Sequence, residues 1–244
     1  MEVAAGPTVP PPDLRWRTDK YAELSDWILA RGVTSVLDVG CRDGVLRRSL
    51  EERAAGRPVP TYHGVDLAPQ ETYRISVVAD LAAGLPVADG AVDLAVALDV
   101  VEHLDDFQGG LEELFRASRR YVAVTLPNLA HGIVRAKFLF KGRIGGKYDL
   151  TYGYGKDRHR WMTVLDQTDR YLEAFARETG SRLSCVRLPL SGPRSMPFER
   201  ALSALRFDPA WYVWVTLYLL EKPATAGARA KAGSLSASSA LTTT

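Results

Sequence analysis

Cysteine is scarce in this chain: Cys41 and Cys185 are the only two in 244 residues. That excludes a disulfide framework and leaves too few thiols for a zinc cluster, so both read as packing residues in a reducing compartment. Long apolar runs are missing as well. The near-continuous stretch Trp211 to Leu220 has ten residues, against the roughly 20 that a membrane-crossing helix needs, and its β-branched and aromatic content reads as a buried strand. Charge of one sign is not in excess. Lysine and arginine number 31 against 29 aspartates and glutamates, for a net charge of +2, which gives no case for nucleic-acid binding. A secretory leader is also not evident: Met1 to Asp13 is rich in Pro, Val and Ala without a basic start and an apolar core, and a cytoplasmic location is expected.

What is present is an ordinary globular composition, 46% hydrophobic and 25% charged, enough for one substantial core. Residues 1–13 read as a flexible tail and 14–222 as one domain. Residues 223–244, mostly Pro, Ala, Gly, Ser and Thr, lack the apolar side chains to repay ordering and read as disordered. Within the domain, helical and strand patterns alternate. Tyr21, Leu24, Trp27, Ile28 and Leu29 share one helical face, as do Leu111, Leu114 and Phe115, each ahead of a β-branched run. The pattern predicts a doubly wound α/β sheet.

The stretch Val36-Leu37-Asp38-Val39-Gly40-Cys41-Arg42-Asp43-Gly44 narrows the function. A strand runs into an acidic residue and a glycine-bearing turn that opens a helix, the outline of a nucleotide-type cofactor site. The glycines are spaced G-x-x-x-G and follow Asp38, where a dinucleotide fingerprint would read G-x-G-x-x-G. A carboxylate here repels pyrophosphate and suits a ligand carrying an ammonium and a sulfonium, such as S-adenosylmethionine. Thr61 to Asp66 reads as a second strand whose terminal Asp66 is placed for ribose hydroxyls. Ile75 to Leu81 reads as a third, with Asp80 placed for an adenine amino group and Leu81 flanking the ring.

Taken in order, Asp38-x-Gly40-x-x-x-Gly44, Asp66, Asp80-Leu81, Leu85-Pro86, Asp93 and Glu102-His103-Leu104 resemble the class I S-adenosylmethionine-dependent methyltransferases of the type 11 kind. The resemblance covers residues 30 to 130. It implies a Rossmann-like seven-stranded sheet with an antiparallel C-terminal strand pair, for which Arg182 to Leu190 and Trp211 to Leu220 are the candidates. It also implies the cofactor set Asp38, Gly40, Gly44, Asp66, Asp80 and Leu81. One position departs from the family pattern, since Arg42 stands where a middle glycine is common. Three readings follow: Arg42 points to solvent, it clamps a carboxylate, or the turn is degraded.

Methyl transfer from an already activated sulfonium asks for an acceptor held in line and, for a hydroxyl, help in removing its proton. The groups should stand at the carboxyl ends of the fourth and fifth strands. The fourth ends in Asp99-Val100-Val101-Glu102-His103. His103 can act as a base near neutral pH or, with Glu102, support the cofactor from beneath. Asp99, Glu102 and His103 also resemble the Glu-x-x-Glu-His metal pattern of ubiquinone-type O-methyltransferases, although the main reading uses no metal. The fifth ends in Pro127-Asn128-Leu129-Ala130-His131. There Asn128 is an acceptor contact or a helix cap, and His131 the stronger base if it faces the cleft.

Residues 141–161 form an insert with Gly142, Gly145, Gly146, Gly153, Gly155 and three tyrosines, Tyr148, Tyr152 and Tyr154. This reads as an aromatic lid over the acceptor, with Tyr152, Tyr154, Arg158 and His159 as acceptor contacts. The acceptor expected is a small molecule or a lipid-linked compound such as a glycolipid, methylated at oxygen. Peripheral membrane contact through the Ser195 to Phe207 helix and the tryptophans accompanies that reading. Leu126-Pro127-Asn128 with the Met162-Thr163 helix start is also similar to the methyltransferase-like protein of bacterial methionine synthesis. That similarity keeps open a non-catalytic, cofactor-binding or regulatory alternative.

Overall fold

The computed structural model describes residues 13–16, 18–68, 76–149, 158–189 and 196–223. Eight strands form one sheet: β1 (Asp13–Leu14), β2 (Ser35–Val39), β3 (Thr61–Asp66), β4 (Val77–Val78), β5 (Val92–Leu98), β6 (Ser118–Pro127), β7 (Arg182–Pro189) and β8 (Val213–Glu221). Their order is β1-β7-β8-β6-β5-β2-β3-β4. β8 runs antiparallel to both β6 and β7, with Tyr121 opposite Glu221 and Arg182 opposite the same residue, while every other pairing is parallel. The expected α/β Rossmann-like sheet with its antiparallel C-terminal pair is therefore present. Its seven strands gain a two-residue edge strand, β1, which pairs Asp13 with Val186.

Six helices cover the sheet: α1 (Lys20–Ala30), α2 (Val45–Ala54), α3 (Phe107–Ala117), α4 (Gly132–Lys141), α5 (Leu165–Thr179) and α6 (Met196–Ala204). The period of two along each strand divides the core. Val36, Leu94, Val96, Tyr121 and Ala123 face Leu24 and Ile28 of α1 and Leu46 and Leu50 of α2. The alternate residues Leu37, Val39, Ala95, Ala97, Val122 and Val124 face Leu111 and Leu114 of α3 and Leu172 and Phe175 of α5. β5 is buried along its whole length, as a parallel strand covered on both faces must be. Each fully buried leucine contributes about 1.5–3 kcal/mol.

Helix starts follow side-chain capping. Asp19 accepts the N–H groups of Tyr21 and Ala22, and Asp106 that of Gly109; a lost cap of this kind costs about 1 kcal/mol. The third expected strand is short. Only Val77–Val78 pairs, and Asp80 instead caps a single 3₁₀ turn over Leu81–Ala83 by accepting from Ala82. Strand order, not strand direction, reverses between β2 and β5, so the carboxyl ends of β2, β3, β5 and β6 lie on one edge around a topological switch point, where open α/β sheets receive ligands. Among the described residues no helix is long and apolar enough to cross a membrane.

Candidate active site

The turn after β2 is built by backbone geometry. Gly40, Arg42 and Gly44 all take left-handed conformations, with φ of 74°, 47° and 71°. A Cβ on Gly40 would come within 2.4 Å of the Val100 side chain, so glycine there lets the ends of β2 and β5 close on one another. Arg42 itself takes a left-handed backbone conformation, one that glycine also favours. It adopts the left-handed turn, with an exposed side chain, at a cost of about 1 kcal/mol. The turn is tied to β3 by the N–H groups of Gly40 and Cys41, which donate to Val65 O at 2.8 and 3.1 Å.

Asp38 lies beneath the turn, 3% exposed, accepting from the Tyr62 hydroxyl. Burial, opposed by that hydrogen bond, pushes its carboxyl up to about 7. Asp66 stands at the end of β3. Its two oxygens accept the N–H groups of Arg42 at 2.8 Å and Leu67 at 2.7 Å, and each keeps a second lone pair for a hydroxyl donor. Asp80 is half-buried and Leu81 buried in the core. The N-terminal turn of α1 adds two residues that sequence reasoning passed over. Lys20 pairs with Asp99, and the Tyr21 hydroxyl is pushed up to about 12 by burial and then by Asp99 and Asp38. Both lie near enough to the switch point to cover it.

Beyond β5 the chain turns at Asp99, whose φ is 56°. Its carboxylate accepts from Thr125 Oγ1 at 2.7 Å, so it is committed to Thr125 and Lys20. One 3₁₀ turn follows over Val101–His103. Glu102 in that turn is fully buried, and among the described residues neither carboxylate oxygen has a hydrogen-bond partner. Burial and then the Asp99 charge push its carboxyl up to about 8. A buried carboxylate left so is expensive.

The end of the insert returns onto this turn. Arg160 N–H donates to Glu102 O at 2.9 Å, and Trp161 Nε1 to Leu104 O at 2.8 Å. His159 thereby comes to lie 4.5 Å from His103, ring centre to ring centre and edge to face. His103 Nδ1 lies 3.0 Å from Arg158 O, and its Nε2 3.4 Å from Lys147 Nζ. The Tyr148 hydroxyl reaches His159 Nδ1 at 2.6 Å and Trp161 O at 3.3 Å. Glu102, His103 and His159 each bring one potential ligand atom within 4.8 Å of the others. Asp99, a member of the metal pattern read from sequence, is not in that group.

Two predicted residues are placed elsewhere. His131 is 1% exposed. Its Nδ1 accepts from Ile133 at the start of α4, and its Nε2 lies 3.3 Å from Glu199 of α6. Burial lowers the imidazole to about 4 and raises the Glu199 carboxyl to about 7. Asn128 is also buried and fully used: its Nδ2 donates to Ala210 O and Val213 O, and its Oδ1 accepts from Ala130. Both join α4 to the β8 entry and are not brought together with Glu102, His103 and His159. Arg158 gives a guanidinium N–H to Asp149 O. Tyr152 and Tyr154 lie outside the described residues. A depression of ≈ 280 Å³ lined by Arg47, Glu51, Pro60 and Tyr62 sits at the opposite end of β3 from Asp66 and carries none of the candidate residues.

Comparison with known proteins decides what this arrangement is. Residues 14–180 match the Methyltransf_23 family of methyltransferase domains. The chain belongs to the S-adenosylmethionine-dependent methyltransferases. Among solved structures, this methyltransferase is similar to the methyltransferase domain of bacterial CtHen1-C, at 16% identity and a TM-score of 0.53 over 84% of this chain and 97% of that one. It is equally similar to an S-adenosylmethionine-dependent methyltransferase from Archaeoglobus fulgidus, at 16% identity and a TM-score of 0.51 over 84% and 100%. At these identities the likeness establishes the class I fold. No curated protein matches the chain in sequence. The cofactor implied is S-adenosylmethionine, and the turn fits it: a glycine cradle closed against Val100, with Asp66 presenting open lone pairs beside it.

Proposed function

We propose that this chain is a methyltransferase of the type 11 kind that methylates an oxygen of a small-molecule or lipid-linked acceptor. In this reading Asp38, Gly40, Gly44, Asp66, Asp80 and Leu81 hold the cofactor. When bound, S-adenosylmethionine supplies a methyl group already activated on sulfur. The observation that carries the reading is the convergence of Glu102, His103 and His159 beside that turn. The acceptor hydroxyl is held over this group, which favours loss of its proton as the oxygen bonds to the methyl carbon.

The lipid-linked acceptor draws support from α4. Phe138, Leu139 and Phe140 are 59%, 77% and 82% exposed, three consecutive helical positions that span about 200° of the helix surface. From Tyr121 to Tyr148 the chain has no acidic residue, yet it carries Arg135, Lys137, Lys141, Arg143 and Lys147. This local charge run is hidden in the balanced total. An aromatic helix tip within a basic collar suits an anionic membrane surface. Phe198, Leu205 and Phe207 in and just after α6 are exposed too. The reading is tested by following methyl transfer from labelled S-adenosylmethionine to water-soluble and lipid-extract acceptors. Label is expected in a hydroxylated lipid fraction; label confined to soluble acceptors rejects the lipid assignment, and label located on nitrogen by mass spectrometry of the product rejects the oxygen.

A further inference from the structure

We propose that Lys20 is a specificity-determining residue of the cofactor site: its ammonium occupies the place of the cofactor's sulfonium and has to withdraw when S-adenosylmethionine binds. The proposal rests on the assignment of the cofactor to the turn after β2, and it adds a competitor built into the chain itself. Three observations carry it. First, Lys20 is held by the cleft and not by its own helix. It occupies the first position of α1, where the helix dipole disfavours a cation, yet its side chain is only 16% exposed and pairs with Asp99.

Second, the carboxylate that receives it is fixed in advance. Asp99 N–H donates to Thr125 Oγ1 at 2.9 Å, and Thr125 Oγ1 donates to Asp99 Oδ1 at 2.7 Å, with Thr125 fully buried. Oδ2 is left over, and Lys20 takes it. Lys20 Nζ also lies 5.3 Å from the centre of the Tyr21 ring, the arrangement in which an aromatic face holds a cation. A carboxylate beside a ring face suits a sulfonium as well as it suits an ammonium, because both interactions respond to positive charge.

Third, the position is that of the reacting atom. The Lys20 charge is felt both at Asp38, beneath the cofactor turn, and at Glu102, in the acceptor group. A charge within reach of both stands where the cofactor's sulfur belongs if the methyl is to face the acceptor. A second positive charge cannot share that spot without like-charge repulsion. Withdrawal asks only for rotation of a flexible side chain, since Leu24 and Ile28 anchor α1 in the core further along. After transfer, with the sulfur a neutral thioether, Lys20 returns to Asp99.

The test is calorimetric titration of the full chain and of Lys20→Met with S-adenosylmethionine and, separately, with S-adenosylhomocysteine, which lacks the positive charge on sulfur. Lys20→Met is expected to bind S-adenosylmethionine about tenfold more tightly, with the affinity for S-adenosylhomocysteine changed by less than about twofold. Amine-reactive labelling of the natural chain, read by mass spectrometry, needs no substitution: Lys20 should react slowly alone or with S-adenosylhomocysteine, and faster with S-adenosylmethionine. Weaker S-adenosylmethionine binding in Lys20→Met, with Lys20 protected from labelling by that compound, would overturn the proposal by showing that the ammonium grips the cofactor. Unchanged affinity for both compounds would overturn it too, while leaving the cofactor assignment standing. Absence of binding of either compound to either chain would remove the assignment itself, and the proposal with it.

Discussion

The two ends of β5 carry buried carboxylates with opposite treatment. At its start Asp93, 3% exposed, accepts from Thr34 N at 2.8 Å, from the Thr34 hydroxyl, and from Arg119 Nε at 2.7 Å. Burial works against its charge, but these partners prevail and hold it at about 2. Just past the other end, the Glu102 carboxylate is buried as deeply with no hydrogen-bond partner among the described residues and is pushed up to about 8. One end of the strand uses a carboxylate to fasten β2 to β5 and β6. The other maintains one at a cost to stability, as α6 does at Glu199. A second paired network makes the same point. Between α5 and the β7–β8 pair, buried Arg187 donates to Asp169 and Thr216, and Tyr218 to Asp169.

If the contrast is right, substitutions at the two ends have separable effects. The largest is expected at Asp66: replacement by alanine removes two charge-assisted acceptors and should weaken S-adenosylmethionine binding roughly 100-fold, as read by calorimetry, with little change in urea midpoint. Asp93→Ala should do the reverse. It strands the Thr34 N–H and releases the half-exposed Arg119 to water, lowering stability by about 1–2 kcal/mol in urea unfolding while cofactor affinity holds. The same carboxylate sets an acid limit. Because its folded value is about 2, below the ordinary 3.8, its stabilisation is complete above 3.8 and lost as pH falls toward 2. Asp93→Asn should flatten acid unfolding over that window.

Glu102→Gln sharpens the comparison from the opposite side. Replacing a buried carboxylate that has no hydrogen-bond partner among the described residues with a neutral isostere should leave the protein as stable or more so, by about 1 kcal/mol, while methyl transfer falls. A destabilised variant would show that Glu102 is structural after all. The smallest effect on stability is expected at the α4 tip. Leu139→Lys should change it by less than about 0.5 kcal/mol and reduce sedimentation with anionic vesicles.

The glycine turn and the strand ends around it were readable because their signals are local. A strand end, a glycine turn and the next strand's terminal aspartate are short-range features, and each lies within about 30 residues of the next. Even the departure at Arg42 resolves locally, since the position keeps its left-handed backbone. The acceptor half was read less well. His131 and Asn128 have the right residue types at the right strand end, yet both are consumed by contacts to residues around 199–214. No local pattern announces those contacts. Conversely, the pairing of His103 with His159 and the approach of Lys147 and Lys20 depend on segments far apart in the chain. One signal was available: Glu102 sits between Val101 and Leu104, in apolar company that foretells burial of a charge.

By itself, then, the sequence determined the α/β layering and the cofactor turn, because hydrophobic period and backbone freedom act over a few residues. Which charged groups would face the acceptor was decided only by tertiary structure. Whether a buried side chain finds a partner depends on what the rest of the chain brings to it: Arg119 and Thr34 to Asp93, and to Glu102 two imidazoles but no hydrogen-bond donor among the described residues.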